Sequence, residues 1–208
     1  MLVKICGVKT PEVITAAVEA GARYLGFVFF PKSPRCIDFD LAERLAAGAP
    51  PGVMKVALVV DPDDELLDRL AAAPLDMAQL HGGESPERVR EVKARTGLPA
   101  MKAVGVADAA DLAKIDLYED VADQLLIDAK PPKDGVLPGG NGLAFDWRLI
   151  ANRQWRKPWM LAGGLTAENV AEAVGLTGAK QVDDSSGEGT APGIKSPELI
   201  REFVSAAG

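Results

Sequence analysis

A few reactive side chains in this sequence stand where an apolar run gives way to a turn. Cys6 ends L-V-K-I-C and is followed by Gly7, and Asp128 ends L-L-I-D. Arg35 closes P-K-S-P-R, and His81, the one histidine, precedes Gly82-Gly83. A thiol can act as a base near neutral pH when neighbouring positive charge lowers its pKa from about 8.5. Lys4 lies two residues before Cys6, so on a strand the two side chains share a face. A carboxylate at the end of three apolar residues is expensive to bury without a partner. Burial would also raise its pKa, which suits Asp128 to a general acid. The plainer reading of Cys6 is an inert packed thiol, the commoner state of a lone cysteine, although the glycine after it keeps access open.

Two glycine turns add a second kind of chemistry. Gly163-Gly164 stands just before Thr166-Ala167-Glu168, a helix start, and Ser185-Ser186-Gly187 follows the last expected strand, around 181–182. Bare backbone N–H groups at such turns, with a helix dipole behind them, attract phosphate. Ordinary turns are the alternative. A base and an acid, without a metal-ligand set or a nucleotide fingerprint, suggest proton transfer on a small phosphorylated substrate. Asp61 precedes Pro62 and reads as helix initiation. Trp147, Trp155, Trp159 and Cys36 read as packing residues.

The elements that must position these groups alternate. Strands are expected at 2–6, 24–30, 54–60, 77–80, 100–104, 124–127, 159–162 and around 181–182. Helices are expected to open at Thr10-Pro11, near 40, after Asp61-Pro62, at Ser85-Pro86, near 109, near 147, at Thr166 and at Ser196-Pro197, where small polar caps precede several of them. A long loop, 129–144, follows the sixth strand. Near-continuous apolar strands imply a parallel sheet covered on both faces. Eight strand–helix units close naturally into an α/β (β/α)8 TIM barrel, with an open doubly wound sheet as the competing arrangement. In such a barrel all the groups above fall on one rim.

Composition sets the outer limits. The chain has 208 residues, 48% of them hydrophobic and 25% charged, enough for one domain spanning 1–208 with a full core. A formal net charge of −7 argues against a nucleic-acid or membrane-surface partner. No apolar stretch reaches the ~18 residues of a membrane span, and the amino-terminal run lacks a signal-peptide layout. Two cysteines and one histidine make neither a disulfide framework nor a zinc site. A cytoplasmic, metal-independent protein is therefore expected, and monomer and homodimer are both compatible with the sequence.

K-I-C-G (4–7), F-F-P-K-S-P-R (29–35), Q-L-H-G (79–82), L-I-D-A (126–129), G-G-N-G-L-A-F-D-W (139–147), L-A-G-G-L (161–165) and D-x-S-S-G (183–187) occur in the order of the phosphoribosylanthranilate isomerase family. The chain resembles that family over nearly its whole length. The resemblance implies an Amadori rearrangement in tryptophan biosynthesis that needs no cofactor, because the opened substrate's own iminium is the electron sink. It implies that Cys6 is the general base, Asp128 the general acid and Arg35 the anchor of the anthranilate carboxylate. Gly163, Gly164, Ser186 and Gly187 would fall in the phosphate loops, with His81 in a supporting place. The family usually carries D-V-S-S-G-V-E where this chain reads Asp183-Asp184-Ser185-Ser186-Gly187-Glu188-Gly189. Asp184 is expected to point toward the outer helices, and Glu188 to place a negative charge near the phosphate. Either the loop rearranges so that both acids reach solvent, or phosphate affinity and stability suffer. Two other functions compete: isomerisation of another phosphorylated aminosugar, and a non-catalytic barrel that binds a phosphate ligand.

Overall fold

The computed structural model describes residues 1–131 and 137–208. Eight parallel strands close into a barrel in chain order: β1 (Leu2–Cys6), β2 (Tyr24–Val28), β3 (Met54–Val59), β4 (Met77–Leu80), β5 (Ala100–Val106), β6 (Gln124–Ala129), β7 (Trp159–Leu161) and β8 (Gln181–Asp184). Closure pairs β8 with β1, setting Lys4 beside Asp183. Seven α-helices follow among the described residues: α1 (Pro11–Ala20), α2 (Phe39–Ala47), α3 (Asp64–Ala72), α4 (Pro86–Thr96), α5 (Leu112–Glu119), α6 (Val170–Thr177) and α7 (Pro197–Ala207).

The strand sequences are apolar throughout because both faces are covered. Val3, Ile5, Leu25 and Phe27 pack outward into the layer shared with the helices. Tyr24, Val56, Met77, Met101, Leu126 and Met160 form a separate cluster on the other face, inside the barrel. Along β1 this alternation leaves Lys4 and Cys6 pointing inward. Helices α1, α4 and α7 start as local chemistry demands. Thr10, Ser85 and Ser196 accept the N–H groups of Val13, Arg88 and Leu199 at 3.4, 3.2 and 3.4 Å, with proline at the start of each helix.

Several elements depart from the sequence reading. Asp61 does not begin α3; Asp63 caps it, accepting Leu66 N–H at 2.8 Å. Asp61 instead adopts φ 44° and accepts Gly83 N–H at 2.8 Å, clasping the loop after β4. Thr166 is not the cap of α6, whose first turn forms later, at Val170, because Thr166 N–H is held by the Asn169 side chain at 2.8 Å. Among its described residues the crossover from β6 to β7 carries a 3-10 turn at Trp147–Leu149 in place of the expected helix; its part at 132–136 lies outside the described residues. A hairpin of β9 (Gly189–Ala191) and β10 (Ile194–Lys195), which the sequence reading did not include, stands between β8 and α7. Trp155 stacks on Trp159 with ring centroids 4.2 Å apart, a packing role as expected. No helix among the described residues is long and apolar enough to cross a membrane.

Candidate active site

The carboxyl ends of the strands surround a cavity of about 740 Å³ including its mouth, within the range of a small-ligand site. Cys6, Arg35, His81, Asp128, Gly163, Gly164 and Ser186 all line it. Gly187 does not. Val28, Phe30, Leu58 and Val60 supply an apolar wall, and residues 137–143 cross the opening. The sulfur and the carboxyl group therefore address one compartment from β1 and β6.

Cys6 is 2% exposed. Gly26 on the neighbouring strand is what makes room for it: a Cβ there would stand 2.9 Å from the sulfur and 3.2 Å from Lys4 Nζ. Lys4 is fully buried and reaches Asp183 Oδ1 at 2.8 Å. Burial alone would pull the ammonium's pKa down, but Asp183 and Cys6 beside it reverse the sign and keep it charged. The expectation that Lys4 lowers the thiol's pKa is corrected in its net result. Burial raises Cys6, and the pull of Lys4, opposed by Asp183, does not overcome it. The thiol's pKa therefore lies above its ordinary value, with Lys4 as the nearby positive charge that opposes the rise.

Asp128 is 7% exposed. Its Oδ1 accepts the Ala129 N–H at 2.7 Å, and its Oδ2 lies 3.2 Å from His81 Nε2. Behind the imidazole, Gln79 Nε2 approaches His81 Nδ1 at 3.1 Å. The imidazole is thus held between the Gln79 amide on one side and the Asp128 carboxyl group on the other. His81 and Asp128 form a hydrogen-bonded couple at the cavity wall. Gln79 lies two residues before His81 on β4, so strand alternation could have found it.

Arg35 is 8% exposed, yet among the described residues its guanidinium has no carboxylate within ion-pair distance and no hydrogen-bond acceptor. A desolvated cation without a partner among the described residues, at the edge of a cavity, is suited to an anion. The chain reaches this position because Gly7 has no side chain: a Cβ there would meet Arg35 Cδ at 2.5 Å.

Gly163 and Gly164 have φ of 86° and 62°. Residue 164 lies under the backbone of Leu143 and Ala144. Among the described residues the N–H groups of both glycines have no protein acceptor. On the other side, the N–H groups of Ser185, Ser186 and Gly187 all go to Asp184 Oδ1, at 2.6, 3.1 and 3.1 Å. Neither Asp184 nor Glu188 reaches solvent, at 4% and 0% exposed, so the rearrangement considered from sequence does not occur. Lys195 from β10 neutralises Glu188 at 2.8 Å.

Sequence reasoning missed the ion pair of Lys4 with Asp183, although a closed barrel places the last strand beside the first. It also missed Glu84, which is 3% exposed, takes two loop N–H groups and pairs with Lys102 at 3.0 Å. That pair fixes the loop behind His81.

Comparison with known proteins follows the same lines. The family model for N-(5'-phosphoribosyl)anthranilate (PRA) isomerase matches residues 3–206. The N-(5'-phosphoribosyl)anthranilate isomerase of Cereibacter sphaeroides is 64% identical over 206 residues, covering 99% of this chain and 97% of that one. The crystal structure of the Thermotoga maritima phosphoribosyl anthranilate isomerase superposes with a TM-score of 0.89 at 36% identity, covering 100% and 98% of the two chains. Another solved phosphoribosyl anthranilate isomerase, in complex with reduced 1-(o-carboxyphenylamino)-1-deoxyribulose 5-phosphate, gives 0.85 at 34% identity, again over 100% and 98%. Barrel, cavity and relatives agree: the chain belongs to the N-(5'-phosphoribosyl)anthranilate isomerase family.

Proposed function

We propose that the chain, acting as one catalytic domain of 1–208, converts N-(5'-phosphoribosyl)anthranilate to 1-(2-carboxyphenylamino)-1-deoxyribulose 5-phosphate in tryptophan biosynthesis, without a cofactor. The observation that carries this reading is the single cavity shared by Cys6, the Asp128–His81 couple and Arg35, whose guanidinium has no partner among the described residues. Arg35 takes the anthranilate carboxylate, and the turns at 163–164 and 185–187 take the phosphate. Asp128 gives a proton to the furanose ring oxygen as the bond from that oxygen to C1 breaks. The anilino nitrogen's electron pair forms the C1=N iminium. His81 holds Asp128 in line and shares its proton.

The iminium is cationic, and it lowers the cost of ionising Cys6, whose thiol burial otherwise keeps protonated. The thiolate removes the C2 proton. The electron pair of that bond becomes C1=C2 and neutralises the nitrogen, giving an enolamine. Loss of the C2 hydroxyl proton and protonation of C1 then yield the ketone. Atoms and electrons balance within the substrate, so no oxidant or reductant enters. Both cysteines are free thiols, which supports a reducing, cytoplasmic setting.

The test is turnover of N-(5'-phosphoribosyl)anthranilate by Cys6→Ala and Asp128→Ala. Each should lose about 10² to 10⁴ in kcat while melting close to the parent. Near-parental rates in both variants would overturn the assigned roles. Rescue of a tryptophan auxotroph lacking this isomerase would test the activity itself, and failure with well-expressed protein would favour a binding barrel.

A further inference from the structure

β8 ends in two successive acids, and the proton transfers above do not use the second. Asp184 is buried, and one of its oxygens collects three consecutive N–H groups, those of Ser185, Ser186 and Gly187. Convergent N–H groups of this kind are an anion cradle. Here the anion is the chain's own. Asp184 Oδ2 and Glu188 Oε1 are both buried without a hydrogen-bond partner among the described residues.

Among the described residues the charged groups around Asp184 are few. Asp183 belongs to the same strand and is committed to Lys4 at 2.8 Å. Glu188 comes from the same loop. Lys195, from β10, bonds Glu188 at 2.8 Å and the Ser185 carbonyl at 3.0 Å. One ammonium thus serves two desolvated carboxyl groups, leaving one negative charge in excess and two oxygens able to take a proton. Burial, with Asp184 adding to it against the pull of Lys195, pushes Glu188 up to about 8.

We propose that Asp184 is a resident competitor of the substrate phosphate, holding the cradle of residues 185–187 until a proton on the Asp184–Glu188 pair weakens its grip. The turn borders the cavity through Ser185 and Ser186, so an arriving phosphate meets donors already engaged and a fixed negative charge behind them. Affinity for phosphate therefore rises when the pair binds a proton and falls when it loses one. The proposal relies on the isomerase reading only for which molecule brings the phosphate.

Calorimetric titration of the full chain with a simple phosphate monoester, glycerol 3-phosphate, tests it without reference to turnover. Titrations at pH 7 and pH 9 stay above the second ionisation of such a monoester, about 6. Asp184→Val should bind phosphate at least about tenfold more tightly than the parent at pH 9, an ordinary size for coupling between two sites. The parent should bind more weakly at pH 9 than at pH 7, and Glu188→Gln, which removes the titrating partner but keeps a group to face Lys195, should flatten that dependence. KM for the phosphorylated substrate should fall in Asp184→Val alongside the phosphate dissociation constant. Equal or weaker phosphate binding by Asp184→Val would make the carboxylate a strut rather than a competitor and overturn the proposal. An unchanged pH dependence in Glu188→Gln would overturn the proton linkage. Altered phosphate affinities in proteins that turn over no phosphoribosylanthranilate would support the competitor while refuting the isomerase reading.

Discussion

Replacing Lys4 by Met separates what the buried ion pair does for the fold from what it does for the thiol. At 2.8 Å and an effective dielectric of about 20, the Coulomb attraction between Lys4 and Asp183 is about 6 kcal/mol, but removing two ions from water offsets most of it. The intact pair therefore adds little net stability. Deleting one partner is different, because the surviving carboxylate stays buried and unpaired at a cost of about 3 to 5 kcal/mol. For a chain of this size that lowers Tm by roughly 10 °C. Without Lys4, burial pushes the Asp183 carboxyl up further, so the variant escapes part of the cost by protonating it. The deficit should accordingly be smaller at pH 5 than at pH 8. Thermal denaturation followed by circular dichroism at both pH values measures this. The double variant Lys4→Met/Asp183→Leu should recover most of the lost stability while turnover stays depressed, since Cys6 has lost its neighbouring ammonium. A Lys4→Met protein as stable as the parent at pH 8, or a double variant no more stable than the single one, would refute the reasoning.

Arg35→Lys keeps the charge but loses the planar fork, so KM should rise about tenfold or more with a smaller change in kcat, read from steady-state kinetics. Gly26→Ala pushes a methyl to 2.9 Å from Cys6 Sγ and 3.0 Å from its Cα, and should cost about 1 to 3 kcal/mol in denaturant unfolding together with most of the activity. Glu188 has its folded pKa raised to about 8 from an ordinary value near 4.3. Its contribution to stability is thus fully present below the unfolded value and lost as pH rises through 8. The unfolding free energy of the parent should decline from pH 5 to pH 9, and Glu188→Gln should decline less.

Whatever depends on a few adjacent residues was open to reading from the sequence. Thr10-Pro11, Ser85-Pro86 and Ser196-Pro197 each cap a helix because the chemistry of a cap lies within four residues. Cys6, Arg35, His81 and Asp128 reach one cavity because strand ends in a closed parallel barrel share a rim. Contacts across the chain were not open in the same way. Asp61 looked like a helix start, but its oxygen goes to Gly83, 22 residues on. The net effect on the Cys6 thiol depends on how completely it is buried and on Asp183, and neither can be judged from Lys4 alone. Asp184 was expected to face the outer helices; its partners are the loop's own N–H groups, which no side-chain pattern encodes. The 3-10 turn at Trp147–Leu149 stands where a helix was expected because Asp146 caps a single turn and Asn152 then adopts φ 64°.

The partnership of β1 with β8 also fixes when the protein can become active. Lys4 and Asp183 are 179 positions apart, and the strand bearing the reactive sulfur gains its second neighbour only when the far end of the barrel docks. Joining segments so distant in sequence is slow compared with forming local structure. During refolding from denaturant, helical signal should return well before enzymatic competence, and a ribosome still holding the residues beyond β7 carries a thiol with no aim.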